Sequence, residues 1–146
     1  MTLKRFVDRG ILKRIHKGFY ATTDIQNLDL LDLGFSFLNT YSYLSLEAIL
    51  VREGIIFQEL QYITFVSSKS ARFEIMGVHY LSRQLKDEFL NNSAGIIKVG
   101  NHFEATKERA VADILYYNPK YYFDNRESID FSVVEDIQKE VGYVTS

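Results

Sequence analysis

The spacing of apolar residues at the start of the chain is typical of a short helix followed by a hairpin. Leu3, Phe6 and Val7 recur at the intervals of one helix face, and a glycine follows where a helix commonly ends. Two β-branched and aromatic runs, residues 11–15 and 19–22, then flank a turn that contains a second glycine. The pattern predicts the end of a helix and a two-stranded β-hairpin.

The next part of the chain predicts two more helices. Residues 23–27 are polar and are interpreted as a linker, and residues 28–38 have the broad apolar face of a helix. Residues 41–43 are interpreted as a loop. Ser45 is a suitable N-cap for a second helix, which Gly54 ends.

From residue 60 onward the apolar residues alternate with polar ones, which is the period of a half-buried strand. Strands are predicted at residues 62–66, 71–75, 78–81 and 95–99. Residues 106–117 predict a helix that is stopped before Pro119, and a final helix is expected around 133–141. We therefore predict an α+β domain in which helices flank a small, mainly antiparallel sheet.

The composition is that of one globular domain, with or without a small appendage. The chain has 146 residues, of which 47% are hydrophobic and 25% are charged. No stretch reaches the roughly 18–20 apolar residues of a membrane span, and no signal-peptide core is present. Cysteine is absent, which excludes disulfides, thiolate zinc sites and cysteine nucleophiles. We expect a cytoplasmic protein that does not associate with a membrane.

The net charge of −2 conceals a division along the chain. Residues 1–20 hold six basic residues and one acid, a net charge of +5, whereas the remaining 126 residues hold 11 bases and 18 acids, a net charge of −7. A basic end on an acidic body indicates that this end binds a polyanion. The alternative is that the basic residues form an ordinary solvated surface.

The helix end, glycine and hairpin occur in the order of a winged-helix module from its recognition helix onward. In such a module the recognition helix enters the major groove and the wing contacts an adjacent groove or the backbone. Most contacts would be to phosphate, and Arg5 is the candidate for a guanine edge. The candidate DNA-binding residues are Lys4, Arg5, Arg9, Lys13, Arg14, His16 and Lys17.

Catalytic patterns yield one candidate. The three histidines have no ligand spacing, and the glycines form no phosphate-binding loop, so we predict no metal, no cofactor and no catalytic residue. Glu104, Glu108 and Asp113 are the candidates for an alternative, a small metal-dependent nuclease or nucleotidyl-processing enzyme. The simpler interpretation is that both glutamates favour a helix N-terminus, and that Arg109 pairs with Asp113 on an exposed helix face.

Aromatic residues concentrate around the single proline. The chain has ten tyrosines and eleven phenylalanines. Tyr117, Tyr121 and Tyr122 are candidates for a protein-interaction surface, because tyrosines give contact area at a low entropic cost. The alternative is that alternate rings of this cluster pack into the core.

Three blocks of the sequence carry a resemblance to a known family. The first is the helix, glycine and hairpin of residues 3–20, and the second is residues 43–50 (YLSLEAIL) with the following residues 54–56 (GII). The third is residues 105–115 (ATKERAVADIL). In this order the blocks resemble the AbiEi family of antitoxins from bacterial abortive-infection (type IV toxin–antitoxin) systems.

The resemblance implies a two-part antitoxin that acts in phage defence without being an enzyme. A winged-helix part, residues 1–22, would bind inverted repeats in promoter DNA and act as a transcriptional regulator of its own operon. After the linker, residues 28–146 would form the domain that counteracts a nucleotidyltransferase-like toxin, without necessarily binding it stably. Two helices that precede the recognition helix in the family have no counterpart here, so we expect a partial winged helix. An oligomer is compatible with the sequence.

Overall fold

A computed structural model describes residues 23–144 of the chain, with side chains described from residue 30 onward. The helices are α1 Thr23–Leu38, α2 Glu47–Arg52, α3 Asp87–Leu90, α4 Lys107–Tyr117 and α5 Phe131–Val141, with a 3₁₀ turn at Arg126–Ser128. The strands are β1 Ser42–Leu44, β2 Ile63–Ser67, β3 Ala71–Ile75, β4 Val78–Gln84, β5 Ile96–Val99 and β6 His102–Ala105. The basic segment 1–22, with all seven candidate DNA-binding residues, lies outside the described residues.

The six strands form one sheet in the order β3-β4-β2-β1-β6-β5. The pairs β1–β2, β3–β4 and β5–β6 are antiparallel, and the pairs β2–β4 and β1–β6 are parallel. The predicted α+β class and the mainly antiparallel sheet are therefore confirmed, with two parallel pairs in addition.

Strand β4 lies between β2 and β3, although β2 and β3 follow each other in sequence. The β3–β4 connection is a two-residue hairpin in which Met76 and Gly77 have φ of 55° and 79°. Positive φ at both central residues is the turn whose twist matches that of two antiparallel strands.

Helix α1 packs directly on one face of the sheet. A Cβ atom on Gly34 would lie 2.8 Å from ring atoms of both Phe65 and Tyr80, so the missing side chain permits this close approach. The Tyr80 hydroxyl donates a hydrogen bond of 2.8 Å to the carbonyl of Leu30 on α1. The ring of Phe35 packs edge-on against Phe65 at 4.7 Å between centroids.

Helices α2, α4 and α5 cover the opposite face. Leu44 is paired with Phe65 in the sheet, so Tyr43, which alternates with Leu44, points away from α1 and towards α4. Helix α4 packs against α2, α5 and β6. The sheet is thus the middle layer of three, and both of its faces are covered by helices.

Two predictions in the first half of the described chain are wrong. Residues 23–27 are the first turns of α1 rather than a linker, and no glycine or proline interrupts a helix there. Residues 41–43 are predicted to be a loop, whereas Ser42–Leu44 is strand β1 in the middle of the sheet. A strand of three residues is too short to show alternation in the sequence.

Ser45 does not cap α2. The helix begins at Glu47 with Leu46 at the cap position, and the Ser45 hydroxyl donates to the buried carboxylate of Asp113. The predicted end of this helix is confirmed, because Gly54 has φ of 73° and the Ile55 amide bonds back to the Leu50 carbonyl at 2.8 Å.

The other predicted elements are confirmed with small shifts of their bounds. Helix α4 begins at Lys107, after Thr106, whose hydroxyl accepts a hydrogen bond from the Arg109 amide. Helix α5 begins two residues before the predicted start, because Asp130 accepts hydrogen bonds from the Ser132 and Val133 amides.

Candidate functional site

Helix α4 carries a fully buried ion pair. Arg109 and Asp113 lie four residues apart, and Arg109 Nε is 2.9 Å from Asp113 Oδ1. Both side chains are 0% exposed. The predicted pairing is confirmed, but its placement on an exposed face is wrong, because α4 lies between the sheet and its neighbouring helices.

The guanidinium of Arg109 uses all five of its N–H donors. Besides the bond to Asp113, it donates to the carbonyls of Asn92 and Ala94 at 2.8 and 2.7 Å and to that of Phe89 at 3.1 Å. A fifth bond of 3.1 Å reaches the Tyr43 hydroxyl. The side chain therefore connects α4 by hydrogen bonds to α3 and to the loop between α3 and β5.

The carboxylate of Asp113 is saturated in the same way. Its Oδ2 accepts hydrogen bonds of 2.9 Å from the hydroxyls of Tyr43 and Ser45. Its Oδ1 accepts from Arg109 Nε and from the Tyr143 hydroxyl, which lies 2.6 Å away. We call these five residues the Arg109–Asp113 network. It joins β1, α4 and the end of α5.

The network shifts the pKa of its members. Burial opposes the charge of Arg109, but the adjacent Asp113 carboxylate outweighs it, so the pKa of Arg109 is raised. Burial first, and the Asp113 carboxylate second, raise the pKa of Tyr43 and of Tyr143 well above the usual tyrosine value. Tyr43 and Tyr143 are therefore neutral hydrogen-bond donors at neutral pH.

Gly95 allows the loop to approach the network. Its φ is 73°, and a Cβ atom there would lie 2.7 Å from Cβ of Arg109. The Gly95 carbonyl accepts a hydrogen bond of 2.8 Å from the amide of Thr106, the N-cap of α4. A side chain at this position would meet both an unfavourable backbone conformation and the buried arginine.

Glu104 lies in strand β6 and not at the helix N-terminus where the sequence placed it. Its carboxylate is buried, 2.9 Å from Arg52 on α2 and 2.9 Å from Nε2 of His102. The ring of His102 stacks on Phe35 of α1 at 4.9 Å. This second cluster connects the sheet to helices on both of its faces. Glu108, in contrast, lies in the first turn of α4 as predicted.

The three carboxylates of the alternative enzymatic hypothesis do not form one site. Glu104 is paired with Arg52 and His102, and Asp113 with Arg109, whereas Glu108 lies near Lys107 at the start of α4. Within the described residues, no group of three His, Asp or Glu side chains is arranged to hold a metal ion.

The three candidate interaction tyrosines have different surroundings. Tyr117 is half-buried, and its hydroxyl donates to the Gln84 carbonyl at 2.6 Å. Burial first, and the nearby Glu47 carboxylate second, raise the pKa of Tyr121 to about 12. Tyr122 is 74% exposed, whereas the next ring, Phe123, is 1% exposed and lies in the core. The core interpretation therefore holds for Phe123, and the interaction surface stays a prediction.

The sequence around Arg109 and Asp113 contains a signal for the burial of this ion pair. The residues between Arg109 and Asp113 are Ala110, Val111 and Ala112, and an isoleucine and a leucine follow. A charged pair that has apolar residues on every side of its helix indicates a buried helix. Tyr43, Ser45 and Tyr143 gave no such signal, because they are distant in sequence.

Comparison of the chain with protein-family models, with curated proteins and with solved structures finds no match. In the part of the chain that the structure describes, no helix has the length and apolar character needed to cross a membrane.

Proposed function

We propose that the chain is an antitoxin-like component of a bacterial toxin–antitoxin or abortive-infection system. Its basic segment, residues 1–22, binds promoter DNA as a partial winged helix and regulates transcription of the operon. The body counteracts a nucleotidyltransferase-like toxin.

One observation carries this proposal. Two of the three blocks that resemble the AbiEi family, residues 43–56 and 105–115, meet in the Arg109–Asp113 network. Tyr43 and Ser45 come from one block, Arg109 and Asp113 from the other, and all four are buried within hydrogen-bond distance of a neighbour. A buried network requires particular residue types at particular positions. Because residues of both blocks meet in one network, the two resemblances together support an antitoxin-like domain more strongly than two unconnected resemblances would.

The division of charge supports the DNA-binding part. The net charge of +5 on residues 1–20 contrasts with −7 on the remainder, so the acidic body would be repelled by the same polyanion that attracts the basic end. This confines DNA contact to one end of the protein.

The antitoxin role is tested by co-expression. The chain is expressed in a bacterial host together with the product of the neighbouring gene, which this proposal identifies as the nucleotidyltransferase-like toxin. Colony counts are compared with those for a copy carrying an early stop codon. We expect growth to be restored only by the intact chain. Persistent toxicity in the presence of folded chain at equal or higher levels contradicts the proposal.

The DNA-binding role is tested by electrophoretic shift on the operon's own promoter. The triple variant Lys13→Ala, Lys17→Ala and Arg14→Ala is compared with Lys69→Ala, Lys98→Ala and Lys120→Ala, which removes the same charge from exposed positions of the body. We expect the first variant alone to weaken binding and to reduce the slope of log K against log salt by about 2–3, because each phosphate contact contributes roughly 0.9. Equal binding by the two variants contradicts the wing assignment.

A further inference from the structure

A groove of about 410 Å³ opens on the surface between residues 58–62 and the strands β2 and β4. Its lining includes two carboxylates, Glu47 at the start of α2 and Glu59, and we call it the Glu47 groove. Neither carboxylate forms an ion pair with any residue that the structure describes. The Tyr121 hydroxyl is a hydrogen-bond neighbour of Glu47, but a carboxylate has further acceptor sites. Negative charge therefore remains available to a ligand here, in contrast to the saturated Arg109–Asp113 network.

The remaining lining suits a long side chain with a cationic head. Leu60 and Leu81 offer an apolar wall for methylene groups, and the amides of Gln58 and Gln61 offer further acceptors. The ring of Tyr62 already has one guanidinium, that of Arg72, at 5.5 Å from its centroid. An aromatic face of this kind attracts cations.

Arg83 is the basic residue of this lining, and it is directed to another partner. Its guanidinium carbon lies 4.2 Å from the centroid of the Tyr117 ring. With two carboxylates against one guanidinium, the lining carries a net charge of −1. The groove therefore favours a cation over an anion.

Two exposed aromatic residues belong to chain segments that border the groove. Phe57 directly precedes its lining segment and is 70% exposed, and Tyr122 is 74% exposed. The Phe57 amide donates a hydrogen bond of 2.7 Å to Asp124, and Tyr121, which precedes Tyr122, lies next to Glu47 of the groove. Among the described residues these are the two most exposed large hydrophobic side chains. Aromatic residues are enriched in protein–protein interfaces.

We propose that the Glu47 groove binds an arginine side chain of a partner protein, and that apolar residues beside this arginine cover Phe57 and Tyr122. A guanidinium presents five N–H donors and an ammonium three, so a guanidinium can bond to more of the two carboxylates and two amides of this lining. The inference is independent of the antitoxin proposal, because it concerns a surface outside the network and is tested without toxin or DNA.

The first experiment is an NMR titration of the full chain with N-acetylarginine amide. Its neutral isostere N-acetylcitrulline amide and the anion N-acetylglutamate amide are titrated in parallel. We expect saturable shift changes, confined to residues 47 and 58–64 and their neighbours, with the arginine compound only. Equal shifts with citrulline, shifts spread over the whole acidic surface, or a stronger response to glutamate would overturn the proposal.

The second experiment compares two double variants. Glu47→Gln with Glu59→Gln removes the groove carboxylates, whereas Glu135→Gln with Glu140→Gln removes two exposed carboxylates of α5. We expect the first to weaken arginine binding about fivefold and the second to leave it unchanged, since each ion pair contributes up to about 1 kcal/mol. Equal effects of the two variants would overturn the proposal. Thermal melts of both variants establish that they are folded.

The third experiment tests the aromatic flank. Acetyl-Leu-Arg-Leu-amide is compared with acetyl-Gly-Arg-Gly-amide on the wild-type chain and on the variant Phe57→Ala with Tyr122→Ala. We expect tighter binding of the leucine peptide to the wild type and equal binding of both peptides to the variant. No advantage of the leucine peptide on the wild type would overturn the part of the proposal that concerns Phe57 and Tyr122.

Discussion

The Arg109–Asp113 network and the Glu47 groove both contain carboxylates, but they use them in opposite ways. In the network every N–H of Arg109 and both oxygens of Asp113 have partners inside the protein, and the pair is inaccessible. In the groove Glu47 and Glu59 face an open space without a cationic partner in the described part of the chain. A charged residue is therefore informative about function only when its partners have been accounted for.

The largest expected effect is the loss of one member of the buried pair. Replacing Asp113 with Leu leaves Arg109 charged and unpaired in the core, which costs about 3–5 kcal/mol. Urea unfolding followed by circular dichroism measures this loss. The matched variant Asp136→Leu removes an exposed carboxylate of α5, and we expect its effect to stay within about 0.5 kcal/mol. Equal effects of the two variants would show that the network does not stabilise the fold.

The next largest effect is expected at Gly95. An alanine there meets Cβ of Arg109 at 2.7 Å in a backbone conformation with φ of 73°. We expect a loss of about 2–3 kcal/mol from overpacking and backbone strain together. Gly100→Ala is the control, because its φ of 61° is similar but no atom lies within 4 Å of the added Cβ. Equal losses for the two variants would show that the contact with Arg109 is unimportant.

Tyr143→Phe removes one hydrogen bond of the network and is expected to cost about 1–2 kcal/mol at neutral pH. It also tests the effect of pH. A tyrosine in the unfolded chain loses its proton with a pKa of about 10. In the folded chain the pKa of Tyr143 is raised, so Tyr143 keeps its proton above pH 10. The stabilisation from this group is thus complete below pH 10 and is lost as the pH rises above it.

Between pH 10 and 11, each tyrosine whose pKa is raised in the folded chain lowers the free energy of unfolding by up to about 1.4 kcal/mol per pH unit. We expect the free energy of unfolding of Tyr143→Phe to fall less steeply with pH than that of the wild type, by up to this amount. The same slope in both proteins would contradict the raised pKa of Tyr143.

The smallest expected effect is in the groove. Glu47→Gln with Glu59→Gln should change the free energy of unfolding by less than about 0.5 kcal/mol, because neither carboxylate stabilises the fold through an ion pair. Urea unfolding of this variant beside the wild type gives the value. A loss above about 2 kcal/mol would show that the groove carboxylates, like the network, stabilise the fold.

The elements with local signals were predictable from the sequence. Helix α4 is bounded by Thr106 and Pro119, and the burial of β3 alternates along the strand in the expected way, whereas β2 is buried along most of its length. Strand β1 and the insertion of β4 between β2 and β3 were not predictable, because they depend on pairing between distant residues. The same reason applies to Ser45, whose local sequence favours a cap but whose hydroxyl bonds to a residue 68 positions away.

The candidate sites were predictable only in part. The spacing of Arg109 and Asp113 indicated a pair, whereas the partners that bury it, Tyr43 and Tyr143, come from both ends of the domain. The Glu47 groove is assembled from α2, residues 58–62, β2 and β4, so no continuous motif encodes it. Segment 1–22 carries the strongest charge pattern, and its assignment as a DNA-binding element stays a prediction.

The most direct test of this account is a double-mutant cycle on Arg109 and Asp113, because the network is both the framework of the domain and the observation on which the proposed function rests. Urea unfolding is measured for the wild type, Arg109→Met, Asp113→Leu and the double variant. We predict that the double variant loses at least about 2 kcal/mol less than the sum of the single losses, since it leaves no unpaired buried charge. Single losses that add to within about 0.5 kcal/mol would contradict the account.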